Sequence, residues 1–165
     1  MKWIVFALIL FVCPVTETFA QGTRLLRHPT VSRDSVAFEY AGDLWVVSRS
    51  GGPARRLTST PSFEIDPYFS PDGRSIAWLQ RTDSAGPTGV WNIRLMQADG
   101  SNQRSVTNDR NINSKPEWSR DGALIFFHRF QIGGDRWRLF TVRPDGSGLS
   151  EIGGGAPGNN EFPSR

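Results

Sequence analysis

One phrase is written three times along this chain. It reads Tyr68-Phe-Ser-Pro-Asp-Gly-Arg-Ser-Ile-Ala-Trp78, then Glu117-Trp-Ser-Arg-Asp-Gly-Ala-Leu-Ile-Phe-Phe127. A worn copy precedes both at Thr30-Val-Ser-Arg-Asp-Ser-Val-Ala-Phe38. The serines Ser32, Ser70 and Ser119 are 38 and 49 residues apart. A repeat of about 40 residues with strand-like flanks is the mark of a β-propeller. The expected fold is therefore all-β, in four-stranded antiparallel blades. The architecture alone names no reaction, because one fold hosts many functions.

The first 20 residues read as a secretory signal rather than as part of the fold. Lys2 supplies a positive start, and Trp3 to Val12 is an unbroken apolar run. Thr18 and Ala20 are the small residues before a cleavage ahead of Gln21. The run is shorter than the roughly 20 apolar residues a membrane-spanning helix needs, so no membrane insertion is expected after cleavage. Val12 before Cys13 is too large for a lipid-attachment site. Cys13 is the single cysteine, so residues 21–165 can form no disulfide. The formal net charge of +3 comes from scattered arginines, of which Arg55 and Arg56 are adjacent. A nucleic-acid partner would call for a dense basic stripe and is not expected. The expected location is periplasmic or secreted.

Residues 21–165 divide into blades at about 24–60, 61–109 and 110–155, with a partial fourth over 156–165. Each is expected to be a meander of short strands closed by Gly, Pro and Asp turns. In the first, Ser35 to Tyr40, Asp43 to Ser48 and Ala54 to Thr58 follow a short strand ending at Val31-Ser32. In the second, the strands are Ile65 to Ser70, Ser75 to Arg81, Trp91 to Gln97 and Gln103 to Thr107, with a polar insertion at Thr82 to Thr88. The third has Lys115 to Ser119, Ala123 to Phe130, Arg136 to Arg143 and Leu149 to Ile152. The third strands share a register in which Leu44, Ile93 and Leu139 coincide. A Gly-rich link, Gly153 to Gly158, precedes a restart at Asn160 to Arg165.

The repeated phrase is a turn. Asp72 and Asp121 are expected to accept backbone N–H groups, with Ser70 and Ser119 at the entry. Gly73 and Gly122 are expected to take positive φ, and Pro71 presets φ ahead of them. The flanking Phe69, Ile76, Trp78, Trp118, Leu124 and Phe126 are expected to fill the gaps between blades. The aspartates are read as turn residues and not as catalytic carboxylates. The Ser-x-Asp-x-Gly-x-x-Trp box of sialidase-type propellers is a poorer match, since Gly73 follows Asp72 directly and Trp78 lies one place too far.

These phrases resemble the Pro-Asp-Gly, WD40-like propeller repeats of the TolB-like superfamily. The stretch Arg24 to Val47, followed by Gly51-Gly-Pro-Ala-Arg-Arg-Leu-Thr58, looks like the first blade of exported tricorn-type proteases. Trp91 to Asn102 and Phe140 to Gly148 look more like generic TolB repeats. The tricorn branch implies a propeller ahead of a serine peptidase, admitting or sorting peptide substrates. The TolB branch implies an exported module that binds protein or peptide. TolB carries a small α/β domain before its propeller, and tricorn-type chains continue through more blades to the peptidase. Neither is expected within these 165 residues, and no catalytic residue of either branch has a matching position.

No constellation of catalytic or metal-ligating residues is legible. His28 and His128 are far apart and in no triad or metal motif. Asp109, Asn111 and Asn113 lack the Gly and Glu of a calcium loop. Trp45, Trp78, Trp91, Trp118 and Trp137 suggest a carbohydrate platform, but their strand spacing favours core. No cofactor is expected. Propellers close with about four to eight blades, so three blades and part of a fourth leave two apolar faces bare. The sequence is therefore read as a segment of a larger protein. Self-association of two arcs and pairing with another chain are the alternatives. The expected function is non-catalytic binding of a protein or peptide ligand, with the N-terminal propeller of a tricorn-like peptidase as the alternative.

Overall fold

The computed structural model describes residues 26–82 and 89–153. These residues form strands, turns and bends with no helix. Twelve strands follow one another in three groups of four. The first blade is β1 (Arg27–Val31), β2 (Ser35–Tyr40), β3 (Asp43–Ser48) and β4 (Arg55–Arg56). The second is β5 (Glu64–Phe69), β6 (Ser75–Arg81), β7 (Trp91–Gln97) and β8 (Arg104–Ser105). The third is β9 (Ile112–Trp118), β10 (Ile125–Phe130), β11 (Trp137–Val142) and β12 (Ser150–Ile152). Within each blade, sequential strands pair antiparallel. One parallel bridge, Trp91 to Ile112, joins blades two and three. The first strands β1, β5 and β9 stand side by side, whereas the outer strands β4, β8 and β12 do not touch one another. This is a propeller arc, with its first strands at the hub.

Burial follows from the stacking. Blade two is covered on both faces, so Ile76, Ala77, Trp78 and Leu79 are buried in succession along β6. Among the described residues blade three is covered on one face, and β10 alternates accordingly: Ile125, Phe127 and Arg129 are buried, while Phe126, His128 and Phe130 are half-buried. At the first seam, Ala37, Leu44, Val46 and Leu57 pack with Ile76, Trp78 and Met96. At the second, Leu79, Ile93, Leu95 and Val106 pack with Ile125, Phe127, Phe140 and Val142. Each fully buried aliphatic or aromatic side chain contributes about 2 kcal/mol by leaving water.

The expected seam residues are corrected in blade three. Leu124 and Phe126 do not fill the gap; Ile125 and Phe127 do. The cause is register: Ile125 pairs with Trp118 as Ile76 pairs with Phe69. The tryptophans also divide. Trp78 is fully buried, Trp91 and Trp118 pack at the margin of the second seam, and Trp137 is 51% exposed.

Each first strand contains a bulge that the repeat pattern did not announce. The register slips by one residue between Arg27 and Thr30, between Ile65 and Tyr68, and in β9 opposite Phe126 to His128. At each slip a non-glycine residue takes positive φ: His28 at 48°, Asp66 at 52° and Lys115 at 51°. Each is followed by proline, namely Pro29, Pro67 and Pro116. An extra residue in one strand of an antiparallel pair bends that strand and sharpens its twist. A proline lacks the N–H that a ladder would require.

Candidate functional site

The Ser-x-Asp-Gly phrase forms the turns between first and second strands. The Ser70 hydroxyl donates to Asp72 Oδ1 at 2.6 Å, and the Arg74 N–H donates to the same oxygen at 3.0 Å. Ser75 N–H returns to Ser70 Oγ at 2.9 Å. The second copy repeats this: Ser119 to Asp121 at 2.6 Å, Ala123 N–H to Asp121 at 3.0 Å, and Leu124 N–H to Ser119 Oγ at 2.9 Å. Gly73 and Gly122 stand at φ of 71° and 73°. The serine hydroxyl, then the backbone N–H, hold the Asp72 and Asp121 carboxyls below the ordinary aspartate range. The worn first copy is a tighter turn in which Ser35 N–H reaches Ser32 Oγ at 3.1 Å.

The turns of blades two and three face each other across a cleft of about 490 Å³. Ser70, Pro71 and Asp72 stand on one wall, and Arg120, Asp121 and Gly122 on the other. Leu95 and Trp118 line the cleft as well. Arg104 reaches from β8 to the carbonyl of Pro144 in the next blade, as Arg55 reaches from β4 to the Asp99 carbonyl at 2.9 Å. Of the turn residues expected from the sequence, Ser70, Pro71, Asp72, Asp121 and Gly122 line this cleft. Gly73 faces the first seam instead, where a β-carbon would lie 3.1 Å from Ser32 Cβ. Ser119 serves the turn through its own hydrogen bonds. The cleft offers two guanidinium groups, two carboxylates and an indole. It suits a ligand with polar and apolar parts.

Two further groups of polar side chains were missed by reading motifs one at a time. At the hub, His28 Nδ1 lies 3.0 Å from Glu39 Oε2 and 3.3 Å from Asp66 Oδ1, joining blades one and two. Tyr68 follows on β5, and its hydroxyl is pushed up by burial and then by Asp66 and Glu117. The signal that would have found this group is the recurring residue before proline. At the second seam, buried Arg129 donates through Nε to Asn113 at 2.9 Å and through Nη2 to Asp109 at 2.6 Å. It also lies 5.2 Å and 4.9 Å from the ring centres of Phe127 and Phe140. Burial pulls Arg129 below the ordinary arginine range, and Asp109 opposes this. Asn113 also donates to the Trp91 carbonyl at 2.8 Å, and the Asp109 carbonyl accepts from Asn92 at 3.0 Å, so both residues fasten blade three to blade two. His28 and His128 lie in different blades. Among the described residues no three His, Cys, Asp or Glu side chains converge as metal ligands, and no helix is long and apolar enough to cross a membrane. The expected signal sequence and fourth-blade start lie outside the described residues.

The chain's relatives fit this geometry. Residues 23–156 match the family described as tricorn protease N-terminal beta propeller domain. A Streptomyces coelicolor protein described as tricorn protease homolog 2 is 38% identical over 130 residues, covering 73% of this chain and 11% of its own length. Among solved structures, a TolB-type protein from Agrobacterium tumefaciens superposes with a TM-score of 0.58 at 25% identity, over 72% of this chain and 41% of that one. The tricorn protease gives a TM-score of 0.63 at 20% identity, over 78% of this chain and 13% of that one. The chain spans well under half the length of the curated relatives it matches. The match along most of the sequence and the repeated four-stranded blades lead to one assignment: this chain belongs to the tricorn protease N-terminal β-propeller family.

Proposed function

We propose that this propeller segment is an exported binding module for protein or peptide, with any catalysis supplied by residues outside it. The observation that carries the reading is the cleft between blades two and three, which Arg104, Arg120 and Trp118 line together. An extended peptide offers carboxylates for guanidinium groups and apolar side chains for an indole face. Membership of the tricorn N-terminal propeller family and the TolB-type structural likeness support this ligand class.

The second reading is that the segment admits peptides to the catalytic domains of a tricorn-like peptidase. The relatives described as tricorn protease homologs favour it. Fluorescence anisotropy with a mixed peptide library tests the binding reading directly. Binding that weakens about tenfold in Arg120→Ala supports it, and a chain that binds no peptide overturns it. Hydrolysis of the same peptides by the purified segment would overturn the placement of catalysis elsewhere. Export predicts that the protein recovered from a secreting host begins at Gln21 by mass spectrometry; recovery with Met1 intact would overturn that part.

A further inference from the structure

Two equivalent positions in the repeat carry different chemistry. Asn113 on β9 pairs across the ladder with Arg129 on β10, and Glu64 on β5 pairs in the same way with Gln80 on β6. At the second seam the Asn113 amide donates to blade two: to the Trp91 carbonyl at 2.8 Å, and at longer range to Thr107 Oγ1 at 3.3 Å and Asn92 Oδ1 at 3.5 Å. At the first seam the matching residues are Thr58 for Thr107 and Asp43 for Asn92. Both threonines hold the same backbone N–H, that of Leu44 and that of Ile93, each at 2.9 Å. Glu64 therefore faces the same kind of surroundings with a carboxyl group where the next blade uses an amide.

Glu64 is fully buried. Its Oε1 accepts from the Thr60 hydroxyl at 2.9 Å and from Gln80 Nε2 at 3.2 Å. Its Oε2 is buried without a hydrogen-bond partner. A charged carboxylate with a bare buried oxygen is costly. The Thr58 and Thr60 side chains favour the charged form by hydrogen bonding but do not outweigh burial, and the charges around it do not compensate. Asp43 on β3 disfavours ionisation of Glu64, and Arg94 on β7 is the smallest of the influences acting on it. Arg56 on β4 is engaged with Asp43 at 2.6 Å. Arg94 is turned toward Ser105, at 3.1 Å, and over the Trp78 ring.

We propose that Glu64 is held as the neutral acid, its carboxyl standing where the next blade uses the Asn113 amide and its proton directed at Thr58, the counterpart of Thr107, so that the join between blades one and two depends on a proton. Burial pushes the Glu64 carboxyl above the ordinary glutamate range, in keeping with this. A group whose folded pKa is raised contributes stability that is present in acid and lost as pH rises through that raised value. On deprotonation the proton leaves Oε2 for solvent, and two carboxylates, Glu64 and Asp43, then face one buried seam. The first seam thus responds to alkali, and the second, built on an amide at the same place, does not.

The test is thermal unfolding of the full chain from about pH 5 to about pH 9, comparing it with Glu64→Gln. Glutamine keeps the shape and supplies a permanent donor. The expected result is equal stability in acid and a Tm for the variant about 4 °C or more above the parent at the alkaline end. A variant less stable than the parent at alkaline pH, or one with an unchanged pH slope, would overturn the proposal. Infrared spectroscopy of the parent chain gives a second readout that does not depend on the variant folding. A protonated-carboxyl carbonyl band at neutral pH, from selectively labelled glutamate, supports the proposal. Its absence overturns it.

Discussion

At the scale of single residues, the repeated turn separates conformational cost from steric cost. Gly73 and Gly122 share positive φ, but a β-carbon at Gly73 would press on Ser32 at 3.1 Å, while one at Gly122 would meet Pro71 in ordinary contact at 3.8 Å. Alanine at either position should cost more than about 1 kcal/mol through φ strain. Gly73→Ala should cost more than Gly122→Ala, as denaturant midpoints would show. The aspartates give a prediction in pH. Hydrogen bonds from Ser70 and Ser119 lower the Asp72 and Asp121 pKa values. Their contribution to stability is therefore present above the unfolded aspartate value and lost as pH falls through the depressed one. Carboxyl NMR titration of Ser70→Ala should show the Asp72 midpoint rising toward that of an ordinary aspartate. These turns were legible in the sequence because their chemistry is local: serine, aspartate and glycine act on backbone groups within five residues of one another.

At the scale of elements, strand order and the shared register of the third strands could also be read from alternation and turn residues. The bulges could not. Nothing in apolar periodicity marks His28, Asp66 and Lys115 as residues of positive φ. The signal lay in the proline that follows each, and it emerges when three copies are laid together. A β-branched residue fits this backbone region poorly. Lys115→Val should therefore lower Tm, whereas Lys115→Gly should leave it unchanged or slightly raised as strain is relieved. Equal effects of the two would argue that side-chain contacts, and not the backbone, set the choice at Lys115. The misread pair Leu124 and Phe126 has a related origin. The turn consumes Leu124 for a hydrogen bond to Ser119, so the buried face begins at Ile125.

At the scale of the whole molecule, the seams decide the architecture, and they were the least legible part. Apolar residues at alternating positions announce that blades stack, but not which polar groups join them. Asp109, Asn111 and Asn113 make a poor calcium loop in sequence; in space, Asp109 and Asn113 receive Arg129, while Asn113 also donates to the Trp91 carbonyl of blade two. Arg129→Ala should destabilise the chain by about 3 kcal/mol, because it strips a buried pair of one partner. A loss below about 1 kcal/mol in chemical denaturation would mean that Arg129 does little to hold Asp109 and Asn113 in place at the second seam. The cleft was half legible. Its turn residues stood out in the sequence, but the cleft itself exists because blades two and three set their turns opposite each other.

The prolines at the hub carry a further consequence. A first strand that lies at the edge of its blade is an open template onto which a foreign strand can add, and such edges promote aggregation. Pro29, Pro67 and Pro116 each remove a donor, and the adjoining bulges break the even spacing that a newcomer would need to zip along. Neighbouring blades can therefore crowd their innermost strands together without fusing them into one continuous sheet around the axis. An extended polypeptide lying along these strands would find no regular ladder to join, so its hold there would rest on side chains such as His28, Asp66 and Lys115.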